Sequence, residues 1–499
     1  MAQVNSGAGD AARRLFGGYD SVAHGMLPTR IVEGETLPDG LPVSMRIEVC
    51  QSSEQLARAL EIDASVSVSF LKGFRATAKM NFMNSLHVTE NNLTIVAHVR
   101  NGLGHYKVLT AALVPGVAPP ADDAEAAEFV RNYGDSYISE TFEGGEYYAV
   151  YTFRTRSRSE RSNLVASLRA SGISGGLTFT AETQLKLSQF SERTEVQWTF
   201  SQEMTGVRGV QLPDPPGMID FARRFSAMEM NAPVMTGFKV EGYERIPGFG
   251  RGFAKVTANR RYFTDTPGIL TNLPHLGSVK EQIGLLGEVY EVYGFEDPKL
   301  DEFGGRVAAD ERTIEAQVHA WEENPTGDFK APELPSLAEG EPVLAFDEPQ
   351  PASFGSDTGP NFDFMPVGKA FQNRVRIQSI RLAPGKWDKY DVIRRIEVGY
   401  TSGTGDWMTT HGTEGSAGAK FDLGDGQFLS KFRIGHGGLI DSIVAHSGRR
   451  SIAAGGTGGT VEDWEPGPGA VVLGFAGRAG GALDQIRIVH AALQPARYV

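Results

Sequence analysis

The amino-acid sequence predicts a multidomain chain: an α+β domain with a central antiparallel sheet and flanking helices, followed by an all-β domain. Three observations predict it. With 499 residues the chain is long for one hydrophobic core. Between Asn324 and Pro360 the composition turns to Pro, Glu, Asp, Ser and Gly, the texture of an extended, exposed connector. Beyond that stretch a unit of turn, aspartate and strand recurs at roughly even spacing, as in a domain assembled from similar β units. The expected organisation is a flexible lead-in over 1–25, the α+β domain over 26–328, a linker over 329–360 and the all-β domain over 361–499.

In the first domain, period-two alternation marks Ser65–Phe70, Leu93–Arg100, Leu177–Glu182, Leu185–Leu187 and Val196–Ser201 as strands with one wet face. One helix is expected over Asp122–Tyr133, where the paired carboxylates Asp122 and Asp123 suit the positive end of the helix dipole. Helical spacing recurs over Ser278–Tyr293 and Asp310–Glu323.

Composition narrows the function. A net charge of −13 argues against a general nucleic-acid binder, which needs clustered Lys and Arg. The single cysteine, Cys50, forbids an intramolecular disulfide or a cysteine-based metal site and reads as a small buried hydrophobe. The N-terminal Met1–Phe16 lacks the apolar core of a secretory signal, and no apolar run is long enough for a transmembrane helix. A soluble protein is expected, with cytoplasmic storage and release on damage, or non-classical secretion, as routes to a target membrane. Phosphate-loop, zinc-protease and nucleophile-elbow motifs are missing from the sequence, and His105, His319, His411 and His490 are scattered singles. Neither catalysis, nor a metal, nor a cofactor is expected.

The repeat carries the sharpest signal. Gly437-Gly438-Leu439-Ile440-Asp441-Ser442-Ile443-Val444 parallels Gly480-Gly481-Ala482-Leu483-Asp484-Gln485-Ile486-Arg487, and Lys389-Tyr390-Asp391-Val392-Ile393-Arg394-Arg395-Ile396 is a weaker third copy. With the closing stretch Val472–Asp484, this pattern resembles the jacalin-related lectins over about 361–490. The resemblance implies a β-prism, with sugar bound at Gly-x-x-x-Asp turns. On that basis Gly480, Gly481, Ala482, Leu483 and Asp484 form one expected site, and Gly437, Gly438 and Asp441 a second. An aspartate accepts strongly from sugar hydroxyls, and glycines let the main chain approach the ligand. In the third copy Trp387 stands four residues before Asp391, so a third site is not expected. Gly455–Gly459 resembles the family's second binding loop.

The first domain has a second resemblance. Tyr133-Gly134-Asp135-Ser136-Tyr137 is followed after six residues by Gly144-Gly145, similar to the signature of the membrane-attack-complex/perforin family, with Asp135 and Ser136 where that family usually has Thr and His. Tyr133, Gly134, Tyr137, Gly144 and Gly145 carry the match, which spans about 46–248. The resemblance implies a bent central sheet whose two flanking segments, here 62–100 and 164–203, are helical in the soluble form and become membrane hairpins. Phe179 and Leu187 then fall on the lipid face and Thr180 on the water face. Together the two resemblances imply an oligomerising pore former that binds surface glycans or glycolipids and assembles as a homo-oligomer on the membrane. A glycan-binding protein that does not perforate is the alternative.

Overall fold

A computed structural model describes residues 13–39, 43–51, 53–61, 82, 86, 92–155, 161, 164–168, 181–193, 197–265, 268–403 and 405–499. The chain divides into two units: 1–281 with 304–340, and 282–303 with 341–499.

The first unit is built on an antiparallel sheet, eight-stranded among the described residues. Its strands are Gly17–Asp20 (β1), Gly25–Arg30 (β2), Thr36–Asp39 (β3), Val43–Cys50 (β4), Leu93–Val108 (β5), Ser136–Arg154 (β6), Gln197–Met204 (β7) and Val234–Gly242 (β8). The long central strands β5 and β6 pair with each other along most of their length. Both change their outer partner at one line of glycines. Strand β6 pairs with β8 up to Gly144 and with β7 from Tyr147, while β5 pairs with β4 up to Asn101 and with β3 from His105. A register shift between Gly102 and Gly104 falls at the same line. A Cβ on Gly144 would lie 2.1 Å from the Asn101 carbonyl oxygen, and one on Gly145 would lie 2.6 Å from that of Thr205, so only glycine permits this approach of backbones.

Strand β5 departs from the one-wet-face expectation, because both faces of the sheet are covered. Helices Ser53–Ala59 (α1), Asp123–Tyr133 (α2), Ala181–Arg193 (α3) and Met218–Phe225 (α4) follow from the sequence in different ways. Ile95, Ala97, Val99, Tyr147, Ala149 and Tyr151 pack with Leu187 and Phe190 of α3 and with Ile219, Phe221 and Phe225 of α4. On the opposite face Val96, Tyr148 and Val150 pack with Leu56 and Ala59 of α1 and with Phe82 and Leu86. His98 and Arg100, expected on the water side, are buried and meet Glu146 at 3.3 Å. Burial of the Arg100 and Glu146 charges is offset by their mutual pairing.

The expected strand over Leu185–Leu187 is instead part of α3, where Leu187 is buried and Leu185 exposed. The helix is held by Phe190 packing on Phe153 at a ring separation of 5.5 Å, so alternation over three residues does not set the conformation here. Val196–Ser201 agrees better, since β7 starts at Gln197. Ser65–Phe70 and, of the expected strand Leu177–Glu182, residues 177–180, Phe179 and Thr180 among them, lie outside the described residues, while Ala181 and Glu182 open α3 instead of ending a strand.

Helix α2 is where it was expected. Asp122 caps it by accepting from Ala124 and Glu125 N–H, and Gly134 ends it with φ 83°. That glycine presses against Tyr19, and its successor Asp135 is fully buried, its Oδ1 accepting from Ser21 N–H and Oγ–H at 3.1 and 2.8 Å. Tyr137 donates to Glu241. Burial and the neighbouring Asp20 carboxylate push Asp135 up to about 7, against the opposing pull of Arg260. Further helices are Ala254–Thr264 (α5), Leu273–Tyr293 (α6) and Pro298–Glu323 (α7), the last beginning well before the expected Asp310. No helix among the described residues is long and apolar enough to cross a membrane.

The second unit is three antiparallel sheets around one core. Its strands are Pro342–Asp347 (β9), Ala352–Gly355 (β10), Asn361–Phe362 (β11), Arg376–Trp387 (β12), Tyr390–Thr401 (β13), Trp407–Gly412 (β14), Lys420–Asp422 (β15), Lys431–His436 (β16), Ile440–Ser447 (β17), Arg450–Gly455 (β18), Thr460–Trp464 (β19), Ala470–Ala479 (β20) and Leu483–Tyr498 (β21). Sheet orders are β9-β21-β20-β11 with β10 also on β21, β14-β13-β12-β15, and β18-β17-β16-β19. Inward residues such as Ile380, Ile396, Ile434, Ile443, Leu473 and Ile486 fill the middle, each fully buried.

The linker expectation over 329–360 needs correction. Strands β9 and β10 both pair with β21, so the domain begins near Glu341 rather than at Asn361. The prolines there flank short edge strands, where a missing N–H is tolerated. Residues Gln282–Phe303 also belong to this unit, with Tyr293 donating to the Val375 carbonyl at 2.6 Å.

Candidate carbohydrate-binding site

Strand register fixes which residues are equivalent in the three sheets. Gln485 of β21 pairs with Gly355, Ser442 of β17 with Gly455, and Arg395 of β13 with Gly412. The preceding residues, Asp484, Asp441 and Arg394, therefore occupy matching places. Each accepts, through its main-chain oxygen, an N–H from the partner loop: Ser356 to Asp484 at 3.0 Å, Gly456 to Asp441 at 2.9 Å and Thr413 to Arg394 at 3.1 Å. Asp391, aligned with the two aspartates on sequence alone, is three residues out of place, and the third position holds an arginine.

At the first position the turn closes with Gly480 N–H on the Ala482 carbonyl at 3.0 Å, with Leu483 buried beneath. Gly480 N–H also donates to Asp484 Oδ2 at 2.8 Å, and Thr358 Oγ–H donates to Oδ1 at 3.1 Å. Gly359, at φ 82°, runs so close that a Cβ would lie 2.4 Å from Oδ2. The carboxylate is thus oriented by two donors and keeps acceptor capacity for others. The second position repeats the design. Gly437 N–H bonds Leu439 at 2.9 Å, and a Cβ on Gly459, at φ 71°, would lie 2.4 Å from Asp441 Oδ2. Burial raises the Asp441 carboxyl, and the nearby His436 opposes that rise.

The two positions touch. Ser356 Oγ–H donates to the Gly438 carbonyl at 2.7 Å, and Gly355 N–H donates to His436 Nδ1 at 3.3 Å. Of the expected residues, the structure brings Gly480, Gly481, Ala482, Leu483 and Asp484 into one turn and Gly437, Gly438 and Asp441 into another. It does not bring Gly455–Gly459 to Asp484, since that loop faces Asp441. The loop that does face Asp484 is Gly355–Gly359, hidden in the stretch expected to be linker. Its signal was present: Gly355-x-x-x-Gly359 repeats Gly455-x-x-x-Gly459. Among the described residues no group of three or more His, Cys, Asp or Glu could hold a metal ion.

A family model described as a jacalin-like lectin domain matches this region. Residues 352–489 are a jacalin-like lectin domain. The match starts at β10, and so includes the Gly355–Gly359 loop. Among solved structures, a Malaysian banana lectin is similar at 21% identity and a TM-score of 0.25, covering 30% of this chain and 99% of that one. A mannose-binding jacalin related lectin from Ananas comosus is similar at 17% identity and a TM-score of 0.24, over 30% and 99% of the two chains. A lamprey immune protein is similar at 23% identity and a TM-score of 0.24, over 29% of this chain and 44% of that one. No curated relative matches the chain. The family match to the lectin domain does not extend into the first unit.

Proposed function

We propose that the chain is a glycan-targeted pore former, in which Asp484 and Asp441 bind surface glycans or glycolipids and the first unit inserts into the membrane as a homo-oligomer. The glycan part is carried by one observation: two aspartates at matching positions, each held by a Gly-x-x-x-Gly loop, inside a jacalin-like lectin domain. A two-residue test follows. Asp484→Ala together with Asp441→Ala removes two charge-assisted acceptors, each contributing roughly 1.5–3 kcal/mol, or about one to two decades in affinity. Unchanged binding of the double variant on a glycan array eliminates the assignment.

The pore part is supported by the glycine line across β5 and β6 and by the origin of the helices. Helix α3 lies within the second of the two segments and covers one face of the sheet, whereas α1 ends at Ala59, before the first segment begins. The segments free to unfurl are narrower than 62–100 and 164–203, because β5 and β7 already belong to the sheet. A second reading, a glycan binder that never perforates, is favoured by Asp135 and Ser136, which depart from the signature and are bound into a buried network. Dye release from glycolipid-bearing liposomes separates the two. Catalysis has no part in either.

A further inference from the structure

Within the lectin domain, the position without an aspartate sits against the first site. Trp387, at the tip of the β12–β13 hairpin, packs so closely on the Asp484 turn that a Cβ on Gly481 would fall 2.1 Å from its ring. The matching turn of the second site has no such wall over its glycines: a Cβ on Gly437 or Gly438 would meet no atom within 4 Å. Arg394, standing where the other positions carry aspartate, braces the wall. Its guanidinium lies 5.3 Å from the Trp387 ring and donates to Thr413 Oγ at 2.7 Å, and Thr413 in turn donates to the Gly481 carbonyl at 2.5 Å. Yet Trp387 remains 43% exposed, and its cross-strand partner Tyr390 is 55% exposed. Two large aromatic side chains in water beside a sugar-binding turn are costly unless something covers them.

We propose that Trp387 and Tyr390 form an aromatic subsite that takes the second ring of a neutral oligosaccharide anchored at Asp484, making the first site a reader of two or more sugars and the second a reader of one. The proposal rests on the glycan reading above. A pyranose ring offers a face of C–H groups, which an indole or phenol face covers without needing a charged partner. The charges at the hairpin suit a neutral ligand, since Lys386 is paired with Asp391 at 3.1 Å, Asp388 and Lys389 balance each other at the tip with Lys389 lying 5.3 Å from the Tyr390 ring, and Arg394 is committed to Trp387 and Thr413.

The test uses the full chain in calorimetry, with Asp441→Ala to silence the second site. Probes are methyl α-mannoside and methyl α-galactoside against the corresponding α-linked disaccharides. The disaccharide of the preferred sugar should bind about tenfold more tightly than the single ring, a gain of about 1.4 kcal/mol. Trp387→Ala should erase that gain while leaving single-ring affinity within about twofold, and Trp387→Phe should keep most of it, which a merely structural role would not reproduce. An equal disaccharide gain in Trp387→Ala overturns the subsite and leaves the glycan reading intact. Loss of single-ring binding in Trp387→Ala but not in Trp387→Phe also overturns it, by making the ring a support of the Asp484 turn. Failure of every probe to bind the Asp441→Ala chain overturns the glycan reading at Asp484 itself.

Discussion

Asp135 offers a test of the first unit that needs neither sugar nor membrane. Its carboxyl has no exposure, Ser21 occupies Oδ1, and Oδ2 is buried without a hydrogen-bond partner. Around it stand Asp20, Arg260, Glu244 and Tyr243, with Arg260 donating to the Asp135 main-chain oxygen at 3.2 Å rather than to its carboxylate. The folded carboxyl therefore titrates near 7, against 3.8 for an ordinary aspartate. Because the folded value is raised, the folded state holds the proton longer than the unfolded state. Below about pH 4 both forms are protonated and the group has no effect on the pH profile. Between about pH 4 and 7 stability falls as pH rises, and above 7 the loss is complete. A rise from 3.8 to about 7 corresponds to a loss on the order of 4 kcal/mol. Asp135→Asn keeps the shape and the Ser21 contacts and cannot ionise. Thermal melts of both proteins between pH 4 and 8 should then converge at the acid end, with the Asn variant melting several degrees higher at pH 8. A melting difference that stays constant across that range refutes the account of a neutral, buried Asp135.

Helix α3 allows a paired charge test of insertion. Leu187 is 1% exposed and Leu185 is 57% exposed, on opposite sides of the helix, yet in an extended strand the two share a face. Leu187→Lys should lower the melting point through a core loss of at least about 2–5 kcal/mol. Leu185→Lys should leave the melt unchanged while suppressing dye leakage, since a cation on the lipid face costs about 2–4 kcal/mol near the bilayer midplane. Leakage unaffected by Leu185→Lys rules out a lipid-facing strand there. A fragment beginning at residue 361 should fail to bind sugar and give a broad melt, because it lacks β9, β10 and the Gly355–Gly359 loop, whereas a chain joining 282–303 to 341–499 should melt cooperatively. The Cys50 thiol, buried and pushed up to about 12 chiefly by desolvation, should react with a thiol reagent only on unfolding, as absorbance during a denaturant titration would record.

By itself the sequence determined the elements whose cause is local. Helix α2 is written in Asp122 and Gly134, and the turns at Gly437 and Gly480 in their own glycines, because caps and turns are settled by a few neighbouring torsions. It also determined the lectin domain, since a repeated unit stays visible wherever the chain goes next. What only the tertiary structure decided was pairing across long separations. Asp484 meets Thr358 over 126 residues, so nothing local marks Gly355–Gly359 as half of its site. Asp391 and Arg394 both precede strand residues, and only the pairing of Arg395 with Gly412 shows which of them stands in the place of aspartate. The two buried faces of β5 were likewise beyond reach, because Thr94, His98 and Arg100 read as wet until Glu146 and the helix below them supply partners. Alternation records polarity along the strand, whereas burial is fixed by what other parts of the chain bring to each face.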